Sequence, residues 1–215
     1  PSFAGILLED ISAPRCFQVE EALQLIGIPV FHDDQHGTAI VVAAALHNAA
    51  KVVGKRYEDL RVVIVGAGAA GLATAKMLLG LKCQSDRCEL MPGSSRVQED
   101  VVVDKMGALY QGRADQNMYK QAVASVSNSD RKTGDLASVI KGADVVIGLS
   151  GQGSITEEMV RTMAKNAIVF AMASPTPEIM PEVALRAGYG DSRPVSSATF
   201  FGDRERHPRG KVTHR

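Results

Sequence analysis

At 215 residues, with 45% hydrophobic and 22% charged positions, the chain has the composition of a globular protein long enough to bury a large core. Its 24 Lys and Arg balance 24 Asp and Glu, so no overall field draws it to nucleic acid or to an anionic membrane surface. No apolar run approaches the roughly 20 residues of a membrane span, and three cysteines without zinc-type spacing fit a reducing compartment, so the expected location is cytoplasmic.

The chain starts at Pro1 and enters an apolar segment at once, Ile6 to Ile11, read as a strand running into the acid pair Glu9-Asp10; further sequence upstream is expected. Ser12, Ala13 and Pro14 predict an N-cap and first turn. Val19, Leu23 and Ile26 then recur at helical spacing until Gly27 stops the run. Ile28 to Phe31 reads as a short strand ending at His32-Asp33-Asp34, and Thr38 is expected to cap an alanine-rich helix reaching about Val53. Arg61 to Val65 is a continuous β-branched run, the turn Gly66-x-Gly68-x-x-Gly71 follows, and Ala69 to Leu79 reads as helix. From Cys83 to Glu99 no period is visible and an irregular loop or insertion is expected.

Order resumes with a strand over Val101 to Asp104. Then come a weak helix over Asn117 to Val123, a helical turn over Leu136 to Ile140 and a buried strand over Asp144 to Leu149. Thr156 to Met163 reads as helix, Ala167 to Met172 as strand and Pro177 to Arg186 as helix with proline in its first turn. Repeated strand and helix units predict an α/β fold, a doubly wound parallel sheet of the dinucleotide-binding kind. Beyond Gly188 the alternation ends, and the basic stretch holding Arg204, Arg206, Arg209, Lys211 and Arg215 reads as a disordered tail.

The chemistry begins with the glycines. Gly66 permits the tight turn, Gly68 lets backbone approach a pyrophosphate, and Gly71 lets the helix pack closely on the strand, with the helix N-terminus as the positive pole. The ribose-binding acid ordinarily follows by about 20 residues. Asp104 is the candidate here although it lies further on, and it would favour NAD, whereas Lys105 would suit the 2′-phosphate of NADP. A strand-end turn carboxylate is the other reading of Asp104. The acid pairs Glu9-Asp10 and Asp33-Asp34 offer hard oxygen ligands for Mg²⁺ or Mn²⁺. Turn and capping roles are the alternative for them. His32 and His36 suit orientation of that loop better than zinc.

Three motifs in order, Leu8-Glu9-Asp10-Ile11-Ser12-Ala13-Pro14, Phe31-His32-Asp33-Asp34-Gln35-His36-Gly37-Thr38-Ala39 and Val65-Gly66-Ala67-Gly68-Ala69-Ala70-Gly71, resemble the bacterial-type malic enzymes. Asp104-Lys105-Met106-Gly107, the run from Gly142 to Ser150 and Pro175-Thr176-Pro177-Glu178-Ile179 are similar as well. The resemblance spans about Gly5 to Gly188 apart from Cys83 to Glu99. It implies oxidative decarboxylation of malate to pyruvate and CO₂, with hydride passing to NAD or NADP and a divalent metal holding the substrate.

Carried over by motif, Glu9, Asp10 and Asp34 are implied as metal ligands and Asp33 as the residue that positions a catalytic lysine. Thr38, Gly66, Ala67, Gly68, Gly71, Asp104, Lys105 and Ser150 are implied at the cofactor, and Ser174 at the substrate, where the family carries asparagine. The family's lysine base and tyrosine acid precede the equivalent of Pro1. The implied organisation is a remnant of the substrate and metal region over 1–35, a Rossmann-type NAD(P)-binding domain over 36–188 with an irregular insertion at 82–100, and a disordered tail over 189–215. The fold is thus expected to be incomplete at both ends. Malate and pyruvate are the implied partners, with no nucleic acid and no membrane, and a homodimer in the full-length family member. Two other readings stay open, a non-catalytic NAD(P)-binding regulatory module and an amino-acid-type dehydrogenase domain.

Overall fold

The structure is a computed structural model that describes residues 2–84, 87–189 and 199–201. Strand β1 (Ile6–Leu8) is followed by helix α1 (Arg15–Leu23) and strand β2 (Val30–His32), which pairs with β1 in parallel. A single wide π-helical turn, Asp33–Gly37, then runs without a break into helix α2 (Thr38–Val52). Neither expected cap forms: Thr38 lies inside a continuous helical path, and Ser12 only offers its carbonyl oxygen to the Cys16 N–H.

Strand β3 (Arg61–Val65), the glycine turn and helix α3 (Ala69–Leu78) follow as expected. The aperiodic segment is not a loop throughout. Strands β4 (Leu81–Gln84) and β5 (Arg87–Leu90) form an antiparallel hairpin whose register sets Cys83 opposite Cys88, and these two form a disulfide. Cys16 is the remaining cysteine, free and buried. The expectation of reduced thiols throughout is thereby corrected, because cross-strand register brings together two sulfurs that linear spacing leaves unmatched.

Strand β6 (Glu99–Asp104) turns at once into the short β7 (Gly107–Ala108), and helix α4 (Met118–Ala124) is capped by the Asn117 side chain on Lys120 N–H. Helix α5 (Leu136–Val139), strand β8 (Val145–Gly148), helix α6 (Glu157–Arg161) and strand β9 (Ile168–Ala171) complete the alternation. Helix α7 (Pro181–Tyr189) starts later than expected, with Pro181 rather than Pro177 in its first turn. Residues 173–179 are held out of the helix by Glu178, whose buried carboxylate accepts the N–H groups of Ser150 and Ala173. A last strand, β10 (Thr199–Phe201), pairs in parallel with β9 where the tail reading predicts none. The free edge of β9 offers an unpaired row of N–H and C=O groups that an extended segment satisfies. The basic positions Arg204 to Arg215 lie outside the described residues.

The main sheet runs β10-β9-β8-β3-β6-β7, parallel except for β7. Alternation along each strand sorts the core into two faces. Val62, Ile64, Val102, Val145 and Ile147 pack with α2, α3 and α4 on one side. On the other, Val65, Val146 and Val169 meet Ile140, Ile179 and Ala184, while Val63, Val101 and Val103 meet Val139. Strand order reverses between β3 and β8, so their C-terminal ends diverge into a crevice, the place where open α/β sheets bind ligands. No helix among the described residues is long and apolar enough to cross a membrane.

Candidate functional site

The turn after β3 is built by close backbone approach. Gly66 has φ of +119°, and a Cβ there would strike the Leu149 carbonyl at the end of β8. A Cβ on Gly71 would strike the Gly66 carbonyl, so α3 can seat on β3 only with glycine at that position. Gly68 differs from both. Its φ of −93° suits any residue and nothing lies within 4 Å of an added Cβ, so packing does not require glycine there. The space beside Gly68 opens at the N-terminus of α3, where no acidic side chain occupies the first turn. An anion approaching that backbone meets free N–H groups and the positive end of the helix dipole, which is the fit a pyrophosphate requires.

Beside this turn lies a cavity of about 710 Å³ lined by Gly66, Ala67, Asp104, Lys105, Lys120 and Ser150, among others. Asp104 does not face it as a free acceptor. One carboxylate oxygen accepts Arg113 Nη2 at 2.7 Å and Lys120 Nζ at 2.6 Å, and the other accepts Arg113 Nη1 at 3.1 Å and the Met106 N–H at 2.9 Å. Burial works to raise the Asp104 pKa, but the hydrogen bonds from Arg113 and Lys120 outweigh it and bring the carboxyl to about 2. Arg113 and Lys120 were not legible as site residues, because they lie on a loop and a helix 9 and 16 positions away and only the fold brings them to Asp104.

A second cavity of about 540 Å³ is lined by Asp33, Asp34, Thr38, Ser150 and Ser174, together with Gly37, Val41, Ala70, Leu149, Met172 and Ala173. Five positions singled out from three stretches of the sequence therefore meet in one place. Thr38, expected at the cofactor, faces this second cavity. Ser150 lines both, so it stands where the two spaces join. Its backbone is fixed by Glu178, fully buried, which accepts Ser150 N–H at 2.9 Å and Ala173 N–H at 3.0 Å and thereby ties the loop after β8 to the loop after β9. Glu178 stands within a quoted motif, but its clamping role has no signature in spacing.

Asp33 lies over Gly37, where any Cβ would run into its carboxylate, so the wide turn and the glycine are required together. Glu20 on α1 anchors the same turn, accepting Gln35 Nε2 at 2.9 Å and lying 2.6 Å from His36 Nε2. The two acidic loops touch through the Asp10 N–H, which donates to Asp34 Oδ2 at 2.9 Å. Glu9 and Asp10 are exposed at the edge of this arrangement. Among the described residues no three His, Cys, Asp or Glu side chains are arranged to hold a metal ion. The dinucleotide thus fits the residues present, whereas the metal lacks a ready set of three ligands.

Residues 35–192 match the family model described as malic enzyme, NAD binding domain. The chain is 50% identical over 190 residues to a bifunctional malic/malolactic enzyme of Bacillus subtilis, an alignment that covers 87% of this chain and 43% of that protein. It is 48% identical over 185 residues to an NAD-dependent malic enzyme of Geobacillus stearothermophilus, covering 86% of this chain and 36% of the relative. An NADP-dependent malic enzyme of Halomonas elongata is 47% identical over 184 residues, with 85% and 40% covered. Among solved structures, the NAD-dependent malic enzyme of Thermotoga maritima superposes with a TM-score of 0.79 at 40% identity, over 93% of this chain and 48% of that one. The chain spans less than half the length of these relatives. With its glycine turn, its switch-point crevice and a family match over most of its length, this chain belongs to the malic enzyme family and carries that family's NAD-binding domain.

Proposed function

We propose that this chain forms the dinucleotide-binding half of an NAD(P)-dependent malic enzyme, in which malate and NAD(P)⁺ yield pyruvate, CO₂ and NAD(P)H. The observation that carries the reading is the junction at Ser150, where the cavity beside the glycine turn meets the cavity lined by Asp33, Asp34 and Ser174. A dinucleotide with its pyrophosphate at Gly68 would run from Asp104 at the adenosine end towards Ser150 at the nicotinamide end. A small 2-hydroxy acid in the second cavity would then present its carbon-bound hydrogen to the ring, and proximity of the two is the main contribution of this part of the protein.

Each residue has a task in that reading. Glu178 fixes the two loops that carry Ser150 and Ser174. Asp33 holds its orientation over Gly37, available to a basic group acting on the substrate hydroxyl. Asp104 has its acceptor positions filled by Arg113, Lys120 and Met106, so a 2′-phosphate entering beside Lys105 and Lys120 meets no unpaired carboxylate. The site therefore takes NADP as well as NAD. Glu9, Asp10 and Asp34 remain our proposed ligands for Mg²⁺ or Mn²⁺, supported by the Asp10–Asp34 contact that already joins the two acidic loops. When bound, such a metal would stabilise negative charge developing on the substrate oxygens. We place the full protein in the cytoplasm as a homodimer, by analogy with the family.

Calorimetric titration tests the reading in two steps, first with NAD and NADP, then with Mn²⁺ in the presence and absence of malate. Dinucleotide binding followed by Mn²⁺ binding that malate strengthens is the expected result, with Asp34→Ala abolishing the metal response while sparing dinucleotide affinity. Dinucleotide binding with no metal or malate response would instead favour a non-catalytic regulatory module. Failure to bind either dinucleotide would overturn the proposal.

A further inference from the structure

A third cleft, of about 530 Å³, lies away from the Ser150 junction, between α1, α3, α4 and the β4-β5 hairpin. One wall carries Cys83 with Leu81, from the strand that leads out of α3. Another wall carries Gln35 and His36, which belong to the turn whose Asp33, Asp34 and Gly37 line the acidic cavity. The cleft therefore borders both the acidic turn and the strand whose Cys83 is bonded to Cys88.

The two walls are mechanically connected. Cys83 and Cys88 both pack against the main core cluster, and β5 rests on α4. From α4, the Tyr119 ring packs against that of Phe17 of α1, tilted by 40° with centroids 4.6 Å apart, and its hydroxyl donates to Glu21 at 3.2 Å. One residue earlier on α1, Glu20 grips Gln35 and His36. A continuous run of packed rings and charge-assisted hydrogen bonds thus leads from the disulfide to the acidic turn.

We propose that Cys83 and Cys88 are a reversible thiol–disulfide modification site that controls how firmly the acidic turn is held. Both cysteines are partly exposed, so a dithiol has access, whereas Cys16 is fully buried. A thiolate of the dithiol attacks one sulfur of the pair, forming a mixed disulfide and releasing the other cysteine as a thiolate. The second thiol of the reagent then displaces the remaining cysteine, so that two electrons and two protons pass to the protein and the reagent leaves as a disulfide. The hairpin loses its cross-strand link, α4 loses firm support, and the Tyr119–Phe17 and Glu20 contacts loosen in turn. This reading does not depend on the malic-enzyme proposal, because it concerns the order of the turn rather than its chemistry.

The test uses the whole chain with dithiothreitol as the reductant. Native alkylation and mass spectrometry should show no reactive cysteine in the oxidised protein. After reduction two should appear together, with Cys16 still protected, and exchange of the reductant for oxidised glutathione, which takes up the two electrons and two protons, should restore the starting state. Amide hydrogen exchange should accelerate about tenfold across residues 81–90, with a smaller acceleration at residues 33–37 and none in β3. The double variant Cys83→Ser/Cys88→Ser should exchange like the reduced protein and ignore dithiothreitol. If that variant does not fold, the wild-type reduction series decides alone. A pair that resists reduction until the chain unfolds overturns the proposal, as do thiols that never pair in air. Acceleration confined to the hairpin overturns it too, since the disulfide would then be a local staple.

Discussion

Strand β3, which delivers the glycine turn, is paired on both edges and buried at four of its five residues, whereas among the described residues β1 and β2, which deliver the two acid pairs, pair only with each other over three residues. The difference continues at the surface. Leu7 and Phe31 stand opposite each other in the β1-β2 register and are 61% and 39% exposed, while Val62, Ile64, Val145 and Ile147 are at most 1% exposed. A two-stranded ribbon is marginal alone. The Glu9-Asp10 pair is tied in through the Asp10 N–H to Asp34, and the Asp33–Gly37 turn is held by Glu20 through Gln35 and His36 and by its unbroken run into α2, whereas the dinucleotide half takes its placement from the core of the sheet. Catalytic geometry built on the first kind of support can shift without unfolding the protein; geometry built on the second kind cannot.

Substitutions that separate these two kinds of support test the contrast. The largest effect is expected from Gly71→Val, which drives a branched side chain into the Gly66 carbonyl. Urea unfolding should show a loss of about 3 kcal/mol, and dinucleotide binding should fall with it. A midpoint close to wild type would mean that α3 can move off β3, and that the dinucleotide half is softer than its burial implies.

Next comes acid sensitivity through Asp104. Its folded pKa of about 2 lies below the unfolded carboxylate value near 3.9. On acidification the unfolded chain therefore takes the proton first. The stabilisation is fully present above about pH 4 and is lost as pH falls through about 2, a change of about 2 kcal/mol. Unfolding midpoints across that range should fall for the wild type. Asp104→Asn should start lower at neutral pH and show a flatter acid limb, and parallel slopes would remove Asp104 from the account.

Gly68→Ala should divide binding from folding. With open space around the added methyl, stability should change by less than about 1 kcal/mol, whereas the approach of a pyrophosphate is blocked and NAD affinity should drop about tenfold, or ~1.4 kcal/mol. Unchanged calorimetric affinity would place the dinucleotide elsewhere. The smallest effect is expected at Leu7→Ser on the exposed ribbon, within about 0.5 kcal/mol by denaturant unfolding. A larger loss would show that β1 and β2 belong to the cooperative core after all.

The order of the elements was readable because periodicity and breakers report local preference. The run Arg61 to Val65, the three glycines and the alanine-rich stretch after them could form little other than strand, turn and helix. Register and side-chain pairing were not readable in the same way. Cys83 and Cys88 acquire their bond only when β4 lies antiparallel to β5. Likewise, Pro177 resembles a helix start until Glu178 is seen turning inward to hold the Ser150 and Ala173 loops.

By itself the sequence determined the α/β alternation, the dinucleotide turn, the family and the residue types gathered around the site, since these are properties of short segments and of motifs. Only the tertiary structure decided that Asp104 is bound by Arg113 and Lys120, that Thr38 lines the same cavity as Asp33 and Asp34, and that Ser150 lines both cavities. The physical reason is that hydrogen bonds and cavities depend on distances between segments far apart in the chain, and those distances are set by how the strands order and pack.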